Sequence, residues 1–469
     1  MRKLLSLFIF LFISTAILAQ SISSVLDRAV NTLLNDPQMK HASFGLYVAD
    51  RQTGKLLYQK NGYSILSPAS TQKTFTAIAA LDILGKDFTY KTPVLHTGTI
   101  DDGILKGDLI IKASGDPSFG SWRYDGYKYN DVKKVFLDII ANAGIRAIDG
   151  NIIIDNNHYD LQPLPGGWPW DDIGNYYGAG DWGLNWNENQ FDLKIKPGNT
   201  VGSNAAIIGS EPELQDVTII NKLKTTKEDN TQLYFAPYSK VAFAEGTVPV
   251  GKSVVTASGA MPNPPRQFLH EIKKWLTEKN IYTTGEYLSA IDYQMNNKII
   301  PQNGTEIGTF ISPSMDKIEY WFMRKSVNLY GEAFAKTIAY QKNGYGSTDN
   351  GIELIKKFWE EKGINLKELK MIDGSGLSPQ NAVSPHAEVQ ALLYAKDQSY
   401  FKEFYESIPL YNDMKMKSGT IARCKGFAGY QTSASGKQYV FSIIINNYDG
   451  SSYSIVPKMY KLLDNLKKY

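Results

Sequence analysis

The chain has 469 residues, 43% of them hydrophobic and 21% charged, with a formal net charge of +3. This is the length of roughly two to four domains and the composition of a soluble globular protein, and the near-balanced charge gives no reason to expect nucleic acid or an anionic membrane as the main partner. With one cysteine, Cys424, the chain has no intramolecular disulfide and no thiolate zinc site, and its five histidines are scattered without metal-binding spacing, so neither metal nor cofactor is expected.

In chain order, residues 1–19 read as a secretory signal peptide. Arg2 and Lys3 form a charged start, and Leu4 to Ile13 is almost entirely apolar but short for a membrane span. Ala19 is a small residue suited to cleavage. The expected location is therefore the periplasm, with no transmembrane anchor in the mature chain. "SSVLDRAVNTLLND" then has helical periodicity, and "ASFGLYVADRQTGKLLYQKN" alternates and turns at Thr53-Gly54 as a β-hairpin. "SPASTQKTFTAIAALDIL" (67–84) reads as a helix, as does 131–146. Residues 95–112 and 190–260 are strand-rich. Segment 166–190 holds four of the eight tryptophans without a period and reads as a long ordered loop. Helical patterns run from residue 264 to about 410. "DMKMKSGTIARCKGFAGYQTSASGKQYVFSIIINNY" reads as three strands with tight turns, one at Ser435-Gly436, and an amphipathic helix closes the chain. The two ends therefore build one α+β domain from 20–90 and 300–469. An inserted module, 91–299, interrupts it, with a subdomain at about 117–189 nested within 91–116 and 190–299.

A Ser-x-x-Lys pair occurs three times: Ser70–Lys73, Ser314–Lys317 and Ser399–Lys402. Each alone is first a helix-start serine beside a solvated lysine. The second and third pairs sit among acidic residues that keep their lysines in water. Ser70–Lys73 instead opens an apolar run, and a three-residue spacing puts both side chains on one helix face. A serine hydroxyl needs a base, and lysine serves only when neutral. Burial and a nearby second lysine would lower its pKa by roughly 3–5 units from about 10.4. "KSG" at Lys417-Ser418-Gly419, on an apparent strand, and "SVN" at Ser326-Val327-Asn328 each occur once. Taken singly, they read as an edge strand with a protective lysine and as a helix cap.

Together, in the order Ser-x-x-Lys, Ser-x-Asn, Lys-Ser-Gly, they form the motif set of penicillin-binding proteins and serine β-lactamases. The chain resembles the D-alanyl-D-alanine carboxypeptidase/endopeptidases of the PBP4-like type (peptidase family S13), low-molecular-mass penicillin-binding proteins. The resemblance runs through "SPASTQKTFTAIAAL", "GDLIIKASGDPSF", "IDGNIIID", "GWPWDDIGNYYGA", "SVNLYGEAFAK", "DGSGLSPQNAVSP" and "MKSGTIARCKGFAGY". It implies a transpeptidase-like fold, an antiparallel sheet with helices on both faces, with a large insertion in the long span between Lys73 and Ser326. Implied partners are peptidoglycan stem peptides, β-lactams as covalent inhibitors and, since the family is often dimeric, a second copy.

The resemblance also implies roles. Ser70 attacks the penultimate D-Ala carbonyl, and Lys73 takes its proton. Ser326 relays a proton to the leaving amine, aided by Lys417. Asn328 bonds Lys73 and the substrate. Lys417 and Ser418 hold the terminal carboxylate on the Lys-Ser-Gly segment through Gly419. The amides of Ser70 and Thr420 form an oxyanion hole, worth roughly 3–4 kcal/mol per donor in comparable enzymes. Asp172 and Tyr177 match the positions that read the amine end of a diaminopimelate side chain. Gln380 stands where relatives commonly carry an arginine for its acid end, and glutamine makes no charge-assisted pair with a carboxylate. The expectation is that the amine end is read and the acid end less strongly. The competing expectation is a serine β-lactamase or esterase of the same superfamily. The long insertion and the lack of a convincing Glu-x-x-x-Asn deacylation motif argue against it.

Overall fold

A computed structural model describes residues 21–469, so the expected signal peptide lies outside the described residues. The first element is helix α1 (Ile22–Leu34), started by Ser21, whose hydroxyl accepts from the Ser24 amide, and buried along Val25, Leu26, Val30 and Leu33. Strands β1 (Ser43–Asp50) and β2 (Leu56–Lys60) follow as the expected hairpin. Its turn is fixed by Gly54 at φ 72° and by the Asp50 carboxylate, which accepts from the Thr53 amide at 2.7 Å. Helix α2 (Lys73–Ile83) is buried on every side from Lys73 to Leu81, as befits a helix that is apolar nearly all round.

Helices α3 (Met315–Lys325), α4 (Asn328–Asn343) and α5 (Pro385–Ala395) and strands β3 (Leu410–Tyr411), β4 (Met414–Ile421), β5 (Cys424–Thr432) and β6 (Gln438–Asn446) follow, then helix α6 (Ser452–Leu463). The strands form one antiparallel sheet in the order β2-β1-β6-β5-β4-β3, joining both ends of the described chain. Alternation sorts the two faces. Tyr47, Ala49, Ala428, Tyr430, Val440 and Ile444 pack with α2, α3, α4 and α5. Leu46, Val48, Phe427, Phe441, Ile443 and Ile445 pack with α1 and α6. The fold is therefore α+β, with helices on both sides of an antiparallel sheet.

Between α2 and α3 lie further sheets. A five-stranded one pairs strands 91–96, 109–112, 152–155, 287–289 and 305–311, and a four-stranded one pairs 99–101, 104–106, 147–149 and 282–283. Strands 147–149 and 152–155 run parallel to 104–106 and 109–112 after a crossover through helix Tyr129–Asn142, so they join those sheets instead of forming one of their own. The edge strand Thr305–Ile311, paired antiparallel with Lys91–His96, carries the pairing past residue 299. The helix read at 131–146 starts and stops earlier. The Asp131 carboxylate accepts from the Lys128 amide at its start, and Gly144 at φ 73° ends it. Segment 166–190 is mostly irregular, with three short helical turns. Among the described residues no helix is long and apolar enough to cross a membrane.

Candidate active site

Ser70 lies in a 3-10 turn, Ala69–Gln72, that feeds α2; the helix expected across 67–84 begins only at Lys73. Ala69 sits at φ 49°, a left-handed conformation that costs a residue with a Cβ and presents the next side chain off the helix start. Close approach explains how it is held. A Cβ on Gly376 would stand 2.1 Å from the Ala69 carbonyl oxygen, and one on Gly419 would stand 2.2 Å from the Pro68 oxygen and 3.0 Å from the Ser70 nitrogen. Only glycine lets the 373–381 loop and β4 clamp the turn from two sides.

Lys73 is fully buried, and its Nζ lies 3.0 Å from Ser70 Oγ, 2.6 Å from Asn328 Oδ1 and 2.7 Å from the Ser375 carbonyl oxygen. A neutral amine has two N–H bonds and one lone pair. The two fixed acceptors, Asn328 Oδ1 and Ser375 O, take the two N–H bonds, which leaves the lone pair facing the Ser70 hydroxyl. Burial brings the Lys73 pKa down to about 7, against the opposing pull of Asp373 and Glu332. The sequence reading gave a second lysine part of that work. Desolvation is the largest cause, and the charges of Asp373 and Glu332 work the other way.

Asn328, the first residue of α4, is oriented by its Nδ2, which donates to the Tyr177 carbonyl at 2.7 Å. Ser326 stands between α3 and α4 at φ 58°, a left-handed residue that ends α3, not a helix N-cap. Its Oγ accepts from Lys417 Nζ at 3.0 Å, and the same ammonium reaches the Ser418 carbonyl at 2.9 Å. Lys417 is buried, and burial with the charges of Lys73 and Lys425 holds its pKa well below the usual lysine range. Two ammonium groups facing one cleft repel, so a neutral amine at Lys73 removes one of the charges that lower the Lys417 pKa.

Sequence reasoning missed the support beneath Lys73. Asp373 accepts from the amides of Gly376 and Ser378, both at 2.6 Å, and from Trp168 Nε1 at 2.8 Å, which shapes the loop that presents the Ser375 carbonyl. Glu332 accepts from the Gly374 amide at 3.0 Å, and burial beside Asp373 pushes its pKa up to about 8. Glu388, whose pKa burial pushes up to about 7, accepts from Thr71 and Ser442 at 2.5 Å each. The "DGSG" run was the one visible signal for this layer.

Ser70, Ser326, Asn328 and Thr420 line one cleft of about 450 Å³, with Asp172 and Tyr177 on its wall. Tyr177 donates its hydroxyl to Asp172 Oδ1 at 3.1 Å, and burial raises the Asp172 pKa. Gln380 is exposed beside Gly167 and is not among the residues lining the cleft. Ser314 and Ser399, the other candidate nucleophiles, lie outside it; the Ser314 hydroxyl bonds Asp316. Among the described residues no group of three or more His, Cys, Asp or Glu side chains could hold a metal ion.

The sequence model of the D-Ala-D-Ala carboxypeptidase 3 (S13) family matches residues 26–466. A D-alanyl-D-alanine carboxypeptidase of Haemophilus influenzae is 25% identical over 463 residues, covering 91% of each chain. One from Actinomadura sp. is 24% identical over 459 residues, covering 91% of this chain and 81% of its own. The crystal structure of penicillin-binding protein 4 from H. influenzae has the same fold, with TM-score 0.80 at 21% identity over 95% of this chain and 99% of that one. The same protein complexed with a β-lactam matches at TM-score 0.76 and 19% identity over the same shares.

Proposed function

Because this chain belongs to the D-Ala-D-Ala carboxypeptidase 3 (S13) family, we propose that it is a serine DD-peptidase of peptidoglycan. It removes the terminal D-Ala of stem peptides and cuts D-Ala-diaminopimelate cross-links through a Ser70 acyl-enzyme. The observation that carries this reading is the Lys73 amine, 3.0 Å from Ser70 Oγ, with two other acceptors for its N–H bonds. Ser70 Oγ forms a bond to the carbonyl carbon of the penultimate D-Ala while its proton passes to Lys73 Nζ. The oxyanion is held by the amides of Ser70 and Thr420. As the tetrahedral intermediate collapses, the C–N bond breaks and the proton that Lys73 accepted passes to the leaving amine through Ser326, which is hydrogen-bonded to Lys417, so Lys73 is neutral again. Water then attacks the ester carbonyl as Lys73 takes its proton; the bond from the carbonyl carbon to Ser70 Oγ breaks, Lys73 returns the proton to Ser70 Oγ, and the shortened peptide leaves with a new carboxyl group.

Lys417 and the Ser418 hydroxyl hold the substrate carboxylate, and Asp172 with Tyr177 receives the ammonium end of the diaminopimelate side chain. Residues 1–19 act as an export signal and the enzyme works in the periplasm, where β-lactams acylate the same serine. Residues 20–90 and 300–469 form the catalytic unit around the module 91–299, with the strand Thr305–Ile311 crossing that boundary to pair with the module's sheet.

Incubation with muropeptides of known structure, followed by mass analysis, tests the reading. The expected products are pentapeptides shortened by one D-Ala and cross-linked dimers split into monomers. A penicilloyl complex lasting minutes to hours accompanies them, whereas rapid penicillin turnover without peptide cleavage would mark a β-lactamase. Gly419→Ala is expected to slow acylation by penicillin by about 100-fold, because its methyl would force β4 off the Ser70 turn. The rate of covalent labelling measures it.

A further inference from the structure

Lys425 sits on β5 directly opposite Thr420 of β4, on the same face of the sheet. Its Nζ donates to Thr420 Oγ1 at 2.6 Å, and it lies 4.8 Å from the centre of the Phe427 ring. The side chain is buried, and among the described residues no carboxylate stands within ion-pair distance of it. Lys417, on the adjacent strand β4, is a second buried lysine, with Ser326 and the Ser418 carbonyl as its partners. Burying a cation without a counter-ion is costly, and the cost falls when an anion arrives. Thr420 lines the cleft and Lys425 does not, so Lys425 acts through Thr420.

We propose that Lys425 is a positioning residue for the substrate's C-terminal carboxylate. By donating to the Thr420 oxygen, it turns the Thr420 hydroxyl proton into the cleft and polarises it as a donor to that carboxylate. A hydroxyl has one proton and two lone pairs, so an ammonium on one lone pair leaves the proton free to point away. The pair is charge-assisted, and its field adds to that of Lys417 on the same anion. Burial lowers the Lys425 pKa to about 8, so the amine still carries its proton at neutral pH. The carboxylate reader then has two parts: a direct one on the Lys-Ser-Gly segment, and an indirect one from the neighbouring strand that the three motifs do not contain.

This inference rests on the DD-peptidase reading, and the test separates the two. The second-order rate of acylation by benzylpenicillin is compared with that by its methyl ester, for the intact protein and for Lys425→Met. Intrinsic differences in β-lactam reactivity cancel in the ratio of ratios. The unchanged protein is expected to prefer the acid, and Lys425→Met to lose about tenfold or more of that preference. On a diacylated Lys-D-Ala-D-Ala tripeptide the loss appears mainly in KM, and Lys425→Arg restores most of it. Lys425→Gln gives the same reading should the Met variant not fold. An acid-to-ester ratio unchanged in the neutral variants, or an equal fall for both compounds, overturns the inference and leaves a lysine that merely packs on Phe427. Failure of the unchanged protein to acylate with either compound overturns the DD-peptidase reading and this inference with it.

Discussion

Ser70→Ala is expected to lower kcat on a D-Ala-D-Ala peptide by about 10⁴-fold or more and to eliminate covalent labelling by penicillin. The change removes only the oxygen that forms the ester. Ser70 is half-buried and its hydroxyl meets Lys73 Nζ alone among the side-chain contacts at 3.0 Å, so nothing in the core depends on it. The unfolding free energy is therefore expected to stay within about 1 kcal/mol of the unchanged protein. Asn328, Lys417 and the two proposed oxyanion amides remain, so the variant still binds substrate. A large fall in kcat with a modest change in binding is the signature of a lost nucleophile, and denaturant unfolding run beside the kinetics separates it from loss of fold.

Lys73→Met is the second large effect. Met fills a similar volume but has no lone pair to accept the Ser70 proton, so acylation is expected to fall by about 10²–10⁴-fold, the range of general-base contributions. In the unchanged protein the acylation rate climbs with pH through about 7 as Lys73 loses its proton, and in the variant that limb disappears. The stability consequence has a definite sign. The folded-state pKa of about 7 lies below the ordinary lysine value of 10.5, so between those values the unfolded chain binds the extra proton and stability rises with pH. Below about 7 the folded protein must hold a buried charge, and this contribution is absent. Subtracting the pH–stability curve of Lys73→Met from that of the unchanged protein should therefore leave a difference that climbs from neutral to alkaline pH. A flat difference would mean that Lys73 is not the desolvated amine described here.

Much of the site was legible because its chemistry is written locally. Ser70 and Lys73 share one turn, Lys417 to Thr420 share one strand, and Ser326 and Asn328 bracket one helix junction; each is a short run with few alternatives. What the sequence hid depends on distant partners. Asp373, Glu332 and Ser375 set the environment of Lys73 from positions about 260 to 300 residues away, and no spacing rule links them. The left-handed Ala69 is likewise imposed by the neighbouring backbones of Gly376 and Gly419. Helix plus antiparallel strands at both ends of the chain followed from their periodicity, and the helices on both faces of one sheet followed from the family resemblance. The parallel crossover that ties 147–155 to 104–112 did not, because a short apolar run such as "IIID" fits a strand in any sheet. Gln380 was read for the chemistry of its side chain, and its exposure beside Gly167 could be seen only in the fold.

The Ser70 hydroxyl, served by an uncharged Lys73, becomes the acyl carrier. Mass spectrometry of the whole protein after incubation with benzylpenicillin, followed by digestion and mapping of the modified peptide, tests it most directly. One penicilloyl group per chain, located on the peptide that contains Ser70, is the predicted result. No added mass, or a label carried by Ser314, Ser399 or any other residue, would contradict it.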